Sequence, residues 1–340
     1  VDWALEREAW FVPERLAERF PAVYWEDELL VYRLAEAKLR QGDEAGAEQT
    51  AKHALGMNPN QQELHSEVAN RLRYQRQMFA WAEAEFRQII ETAGESHRLE
   101  LKTRERLAQM LGDLQREYDA AETLKPSLVI GERDPAALAS AYEEIYGAAI
   151  TPAELRAKID HFLGIHYGQE GDTVKAKTFL EQALAVDTEN IDIVIALYRV
   201  ADDDEAWRKK VDKLLAAHVQ RIDSRLKVLE QALKTRDDRE IQTLVRQEFA
   251  QKNNEYAWLV GNTVGDYQKA VACSEKSLEL DPDNWAFQDT LARCYYAVGD
   301  YKRAIHYQKL AVEQAPYLQQ MRRQLKLFED ALAETALPAN

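Results

Sequence analysis

Residues 252–282 read KNNEYAWLVGNTVGDYQKAVACSEKSLELDP, and residues 283–316 read DNWAFQDTLARCYYAVGDYKRAIHYQKLAVEQAP. One pattern runs through both. Gly265-Asp266-Tyr267 recurs as Gly299-Asp300-Tyr301, Ala270 as Ala304 and Pro282 as Pro316, each after 34 residues. A fixed step of that size marks stacked helical hairpins. Gly299 follows an apolar-periodic run, where a helix end needs a residue that tolerates positive φ. Asp300 is placed to cap the next helix through its carboxylate. Ala304 is small where two helices must cross closely, and Pro316 cannot continue the helix before it. An ordinary bundle with accidental spacing does not account for several residue types repeating together at one period.

On these residues the chain resembles the tetratricopeptide repeat (TPR) family, whose unit is a helix–turn–helix of 34 residues. Leu291, Ala292, Tyr295, Ala304 and Pro316 stand at the family's positions, while Gln308 departs where the family prefers a large apolar residue. The resemblance implies an all-α, right-handed α-solenoid of helical hairpins that acts as a protein-binding scaffold.

Outward from this pair the pattern weakens but persists. Residues 1–27 read as short aromatic-rich helices packing on the first repeat, with Trp3, Trp10, Phe11 and Phe20; Pro13 opens the second piece and Pro21 closes it. A membrane-surface role would require Lys and Arg on the polar face, whereas Glu6, Glu8, Glu14 and Glu18 make this stretch acidic. Residues 28–126 hold three repeats, with crossing residues Ala47, Ala82 and Ala121 and closing prolines Pro59 and Pro126. Ala47 to Ala82 is 35 residues, which implies one extra residue in the turn. Gly112 falls inside a helix, a cost of about 1 kcal/mol relative to Ala unless close packing offsets it.

Residues 127–156 break the register. Gly131 and Asp134-Pro135 mark a loop and a new helix, and Thr151-Pro152-Ala153-Glu154 has the spacing of a capping box with Pro at the first helical position. In residues 157–250 a repeat built on Gly171-Asp172, Ala176 and Ala183 is followed by irregular helices: a short one at 191–200, a long one from Glu205 to Lys234 opened by Asp202-Asp203-Asp204, and one from Asp237-Asp238 to Gln251. Residues 251–316 hold the two regular repeats, and 317–340 a capping helix and a frayed tail at Leu337–Asn340. In the capping helix Arg322, Arg323, Lys326, Glu329 and Asp330 are expected to face water.

The chain has 340 residues and a formal net charge of −15, so a polyanion is repelled on average and basic or neutral protein segments are the expected partners, not nucleic acid. No apolar run reaches the roughly 18 residues a membrane span requires. Cys273 and Cys294 are too few for a disulfide framework; a single bridge between packed helices is conceivable, and two buried thiols are the simpler expectation. A cytoplasmic chain is expected, with a mature exported chain or a fragment as alternatives.

No catalytic motif, Gly-rich phosphate loop or HExxH spacing is present, so no enzyme activity, cofactor or metal is expected. His161 and His166 are five apart on one helix and poorly share a metal. The expected site is the inner face, which in the TPR family is built from first helices. It comprises Lys252, Glu255, Leu259, Asn262, Asp289, Arg293 and Tyr296, with Lys158, His161 and Ile165, and Tyr32, Glu36 and Arg40, in the earlier repeats. Glu255, Leu259 and Asp289 stand where the family's carboxylate-clamp subclass wants basic or amide residues. Arg293 and Tyr296 share a helix face, with Asp289 four residues before to hold the guanidinium. The alternative is a structural or regulatory subunit that uses its outer surface.

Overall fold

The computed structural model describes residues 1–94, 96–200, 204–235 and 239–335, and among them no strand occurs. The helices are α1 (Asp2–Leu5), α2 (Phe11–Arg19), α3 (Pro21–Tyr24), α4 (Glu28–Arg40), α5 (Glu44–Leu55), α6 (Gln62–Asn70), α7 (Phe79–Thr92), α8 (His97–Asp113), α9 (Glu117–Arg133) and α10 (Pro135–Tyr146). They continue with α11 (Pro152–Gln169), α12 (Thr173–Val186), α13 (Ile191–Arg199), α14 (Glu205–Thr235), α15 (Arg239–Asn262), α16 (Tyr267–Leu280), α17 (Trp285–Ala297), α18 (Tyr301–Gln314) and α19 (Gln319–Thr335). Two compact units result: residues 1–107 with 140–147, and residues 108–139 with 148–340.

The hairpin turns at Gly42, Gly171 and Gly299 are built one way, whereas Gly265 adopts φ 153° and Gln77 and Gln115 take the positive-φ place in the second and third repeats. Gly171 and Gly299 adopt φ of 78° and 80°, which lets the chain reverse. The following N–H then closes back on the helix end: Asp172 to the Tyr167 carbonyl and Asp300 to the Tyr295 carbonyl, both at 2.9 Å. Each Asp next caps the second helix, its carboxylate accepting the N–H of Gly46, Lys175, Lys269 or Arg303 three residues on. The crossing residues Ala47, Ala82, Ala121, Ala176, Ala270 and Ala304 are all fully buried. Thr151 and Glu154 complete the capping box at the start of α11. In the second unit one apolar core runs from Ala157 to Phe328. Cys273 and Cys294 are buried free thiols.

Several boundaries differ from the sequence expectation. The extra residue between Ala47 and Ala82 does not lengthen the turn. It enters a π-helical stretch, Arg71–Arg76, which ends at Gln77 with φ 58°; an i→i+5 turn takes up one residue more than an α-turn. Pro126 does not close a repeat but lies inside α9, which continues to Arg133. Only one intrahelical hydrogen bond is lost there. The last turn of α9 is held by close packing: a Cβ on Gly131 would lie 2.6 Å from Leu138 Cδ2. No break falls near Gln251, because α15 runs unbroken from Arg239 to Asn262 and its C-terminal half serves as the first helix of a regular repeat.

At the N-terminus α2 starts before Pro13, and Pro21 opens α3 rather than only ending α2. This segment packs through Ala17, Tyr24 and Leu34, whereas Trp3, Phe11 and Phe20 are 68%, 53% and 51% exposed. Arg323 is not simply solvated: it donates to the Asp113 carbonyl at 2.7 Å, while the Asp113 carboxylate accepts the Gln319 and Gln320 N–H groups that open α19. Asp204 caps α14 through the Ala206 N–H. Asp202, Asp203, Asp237, Asp238 and the tail 336–340 lie outside the described residues.

Candidate binding surface

In the second unit the helices α11, α13, α15 and α17 carry a continuous set of polar side chains. Trp258 Nε1 donates to Asp192 Oδ1 at 2.8 Å, linking α15 to α13. Arg199 donates to Asn262 Oδ1 at 2.6 Å, linking the same helices further along. Arg293 Nε donates to the Gly261 carbonyl at 3.0 Å, linking α17 to α15. The Arg293 guanidinium also lies 5.1 Å from the Tyr296 ring centroid, within cation–π range.

These two arginines are unusual in this acidic chain. Neither has a carboxylate within ion-pair distance among the described residues. Arg199 keeps solvent exposure as a residue, yet enough protein crowds its guanidinium that desolvation, and then the Arg293 charge, push it below the usual arginine range. Burial likewise lowers Arg293. Both are hydrogen-bonded to neutral oxygens, and the nearest opposing charges, Asp192 for Arg199 and Asp289 for Arg293, act from beyond ion-pair distance.

Two further polar atoms on this face lack partners. His161 Nε2 and Asn254 Oδ1 are buried and receive no hydrogen bond. Burial holds the His161 imidazole below its ordinary value, opposed by the charges of Asp192 and Asp187.

The expected site residues separate into distinct environments. Arg293 and Tyr296 come together as foreseen, but Asp289 does not hold the guanidinium. Its Oδ1 accepts amide N–H groups from Gln308 at 2.7 Å and Gln324 at 3.1 Å, which explains the glutamine at the repeat's usual apolar position. Tyr296 stacks on Phe328 of the capping helix at 4.7 Å between centroids. Leu259 is fully buried, and the Asn262 side chain is turned inward to Arg199 and the Trp258 carbonyl. Lys252 and Glu255 pair with each other at 2.5 Å.

In the first unit, Tyr32 is buried and donates to Glu85, and Glu36 is locked to Arg76 in a two-point ion pair. Both are therefore interior groups. Arg199, Asn254 and Trp258 are absent from the residues that sequence reasoning places on the inner face, whereas His161 is among them. Arg199 lies in a helix outside the 34-residue register, so position in a repeat could not identify it.

The sequence pattern of the tetratricopeptide repeat family matches residues 264–327. No curated protein matches the chain. Among solved structures, the chain is similar to a thermophilic TPR protein of Thermus thermophilus, at 19% identity and a TM-score of 0.37, covering 68% of this chain and 99% of that one. The TPR2AB-domain:pHSP90 complex of yeast Sti1 is similar at 14% identity and a TM-score of 0.27, covering 79% and 98%. Yeast Tom70 is similar at 13% identity and a TM-score of 0.25, covering 96% and 85%. All three scores are below 0.5, so these likenesses carry no argument about ligands, and the family pattern itself covers only residues 264–327.

Proposed function

We propose that this tetratricopeptide-repeat chain is a protein-interaction scaffold that holds an extended partner segment across α13, α15 and α17, with an acidic group of that segment between Arg199 and Arg293. The observation that carries this is the pair of crowded guanidiniums without a carboxylate. A bidentate carboxylate satisfies such donors far better than carbonyl oxygens do. Trp258 and Tyr296 flank the pair and supply the amphipathic contact area typical of binding hot spots. The net charge of −15 still favours basic or neutral partners at long range, so the acidic group is a local feature of a segment that is not itself strongly acidic.

Selection of a random peptide library on the full chain tests this. Enriched segments are expected to share one Asp, Glu or free C-terminus, and Arg199→Ala with Arg293→Ala to weaken them at least about tenfold, or roughly 1.4 kcal/mol. Equal affinity for that double variant would remove these helices as the site.

A second reading, assembly through an outer surface, is favoured by one observation. Trp3, Phe11, Phe20, Val23 and Trp25 are all exposed within the first 25 residues, and large exposed apolar groups in one stretch mark interaction surfaces. Peptides that lose affinity on Trp3→Ser and Phe11→Ser, but not on the arginine substitutions, would support it.

A further inference from the structure

In the first unit, three helices bring two carboxylates and one imidazole together away from water. Glu28 opens α4, His65 lies on α6 and Glu85 on α7; all three are buried, His65 and Glu85 completely. One donor atom from each lies within 4.8 Å of the others. His65 Nδ1 stands 2.6 Å from Glu85 Oε2 and 3.2 Å from Glu28 Oε1.

Two carboxyls face one imidazole, and burial raises both Glu28, with the neighbouring Glu85 adding to it, and Glu85 to about 7. The His65 Nδ1 atom faces both carboxyls, nearer to Glu85 Oε2 than to Glu28 Oε1. Glu28 Oε1 faces the imidazole at 3.2 Å, and neither Glu28 oxygen has a hydrogen bond of good geometry. A buried carboxyl without a well-placed donor is costly to ionise unless it takes up a proton or a cation. The polar atoms around it are, by contrast, anchored. Tyr32 donates its hydroxyl to Glu85 Oε1. His65 Nε2 lies 3.2 Å from the Asn58 carbonyl and 3.1 Å from Gln88 Nε2, an amide that also donates to the Leu55 carbonyl.

We propose that Glu28, His65 and Glu85 bind one divalent transition-metal cation of the Zn²⁺ class inside the first unit. The donor set is one imidazole nitrogen and carboxylate oxygens, which suits Zn²⁺. A hard ion such as Ca²⁺ takes six or more oxygens, and Mg²⁺ keeps most of its water; neither suits this dry set. Metal-bound histidines fix their orientation by donating the other ring N–H to a carbonyl, and metal-bound carboxylates are themselves hydrogen-bonded. The Asn58 carbonyl and the Tyr32 hydroxyl occupy those two places. The 3.2 Å separation of His65 Nδ1 and Glu28 Oε1 fits two ligands about 2 Å from a shared tetrahedral ion. Glu85 Oε2 must withdraw by about half an ångström, and the second Glu28 oxygen or a water completes four-fold coordination. The cation would take the place of protons in this cluster and neutralise both carboxylates. Because the site is closed, it loads as the hairpins assemble, and its role is to hold α4, α6 and α7 together.

The test uses the untagged full chain, unfolded in chelator and refolded with or without Zn²⁺. One Zn²⁺ per chain should survive gel filtration, measured by mass spectrometry, and the loaded chain should melt at a higher temperature. Glu28→Gln and His65→Gln should each lower affinity by more than about 100-fold, and Tyr32→Phe by about 10–100-fold, as expected for loss of a supporting hydrogen bond. Co²⁺ refolded into the unmodified chain should show the intense visible bands of a tetrahedral nitrogen–oxygen site with no thiolate charge transfer, a readout that needs no variant to fold. A metal-free refolded chain with unchanged melting would overturn the proposal. So would full stoichiometry in both glutamine variants, or weak octahedral bands for Co²⁺.

Discussion

Gly164 of α11 lies directly against Leu180 of α12: a Cβ added to the glycine would fall 2.5 Å from Leu180 Cγ and 3.2 Å from its backbone nitrogen. Leu180 is fully buried, so it has nowhere to retreat. Two opposing effects meet at this position. Alanine improves helix propensity by about 1 kcal/mol, and overpacking costs about 1–3 kcal/mol. Because a backbone atom is among the clashing partners, overpacking wins. Gly164→Ala should lower stability by about 1–2 kcal/mol in urea unfolding; a stabilised variant would mean that the two helices can separate freely.

The crossing alanines allow a sharper comparison. Ala270 and Ala304 are fully buried in successive hairpins, whereas Ala216 on α14 is exposed. Ala270→Leu and Ala304→Leu should each destabilise by about 1–3 kcal/mol, while Ala216→Leu stays within about 0.5 kcal/mol. Equal responses at all three sites would contradict the repeat register.

Asp289 predicts a pH effect of definite sign. Burial raises its carboxyl to about 6, only partly opposed by the Gln308 hydrogen bond and the Arg293 charge. In the unfolded chain the value is about 3.9. The folded state therefore holds the proton more tightly. The stabilisation from the neutral carboxyl is complete below about pH 4 and is lost as pH rises through about 6. Asp289→Asn removes the charge but keeps Oδ1, which accepts both amide donors. The variant should gain on the unmodified chain as pH rises from 4 to 7, by on the order of 1 kcal/mol given the residue's partial exposure. A stability difference that is constant over this window would show that Asp289 does not titrate there.

Much of this protein was determined by sequence alone, because the signals are local. A glycine at positive φ, an aspartate three residues before the N–H it caps and an alanine at each crossing all act within one hairpin, so they recur with its 34-residue period. The capping box at Thr151 and Glu154 and the helix from Glu205 are legible for the same reason. Pro126 and the π-helical stretch escaped because each depends on how neighbouring helices hold a locally unfavourable backbone.

The candidate sites were decided by tertiary structure. Leu259 and Arg293 both belong to first helices, yet one is core and the other binds a carbonyl across helices; only the packing of α15 against α17 distinguishes them. Arg199 meets Asn262 across 63 residues, and His65 meets Glu85 across 20 and Glu28 from the far side of another hairpin. No periodicity links such residues. Their chemistry arises from burial, which removes water from groups whose charge or hydrogen bonding must then be met by whatever the fold has brought beside them.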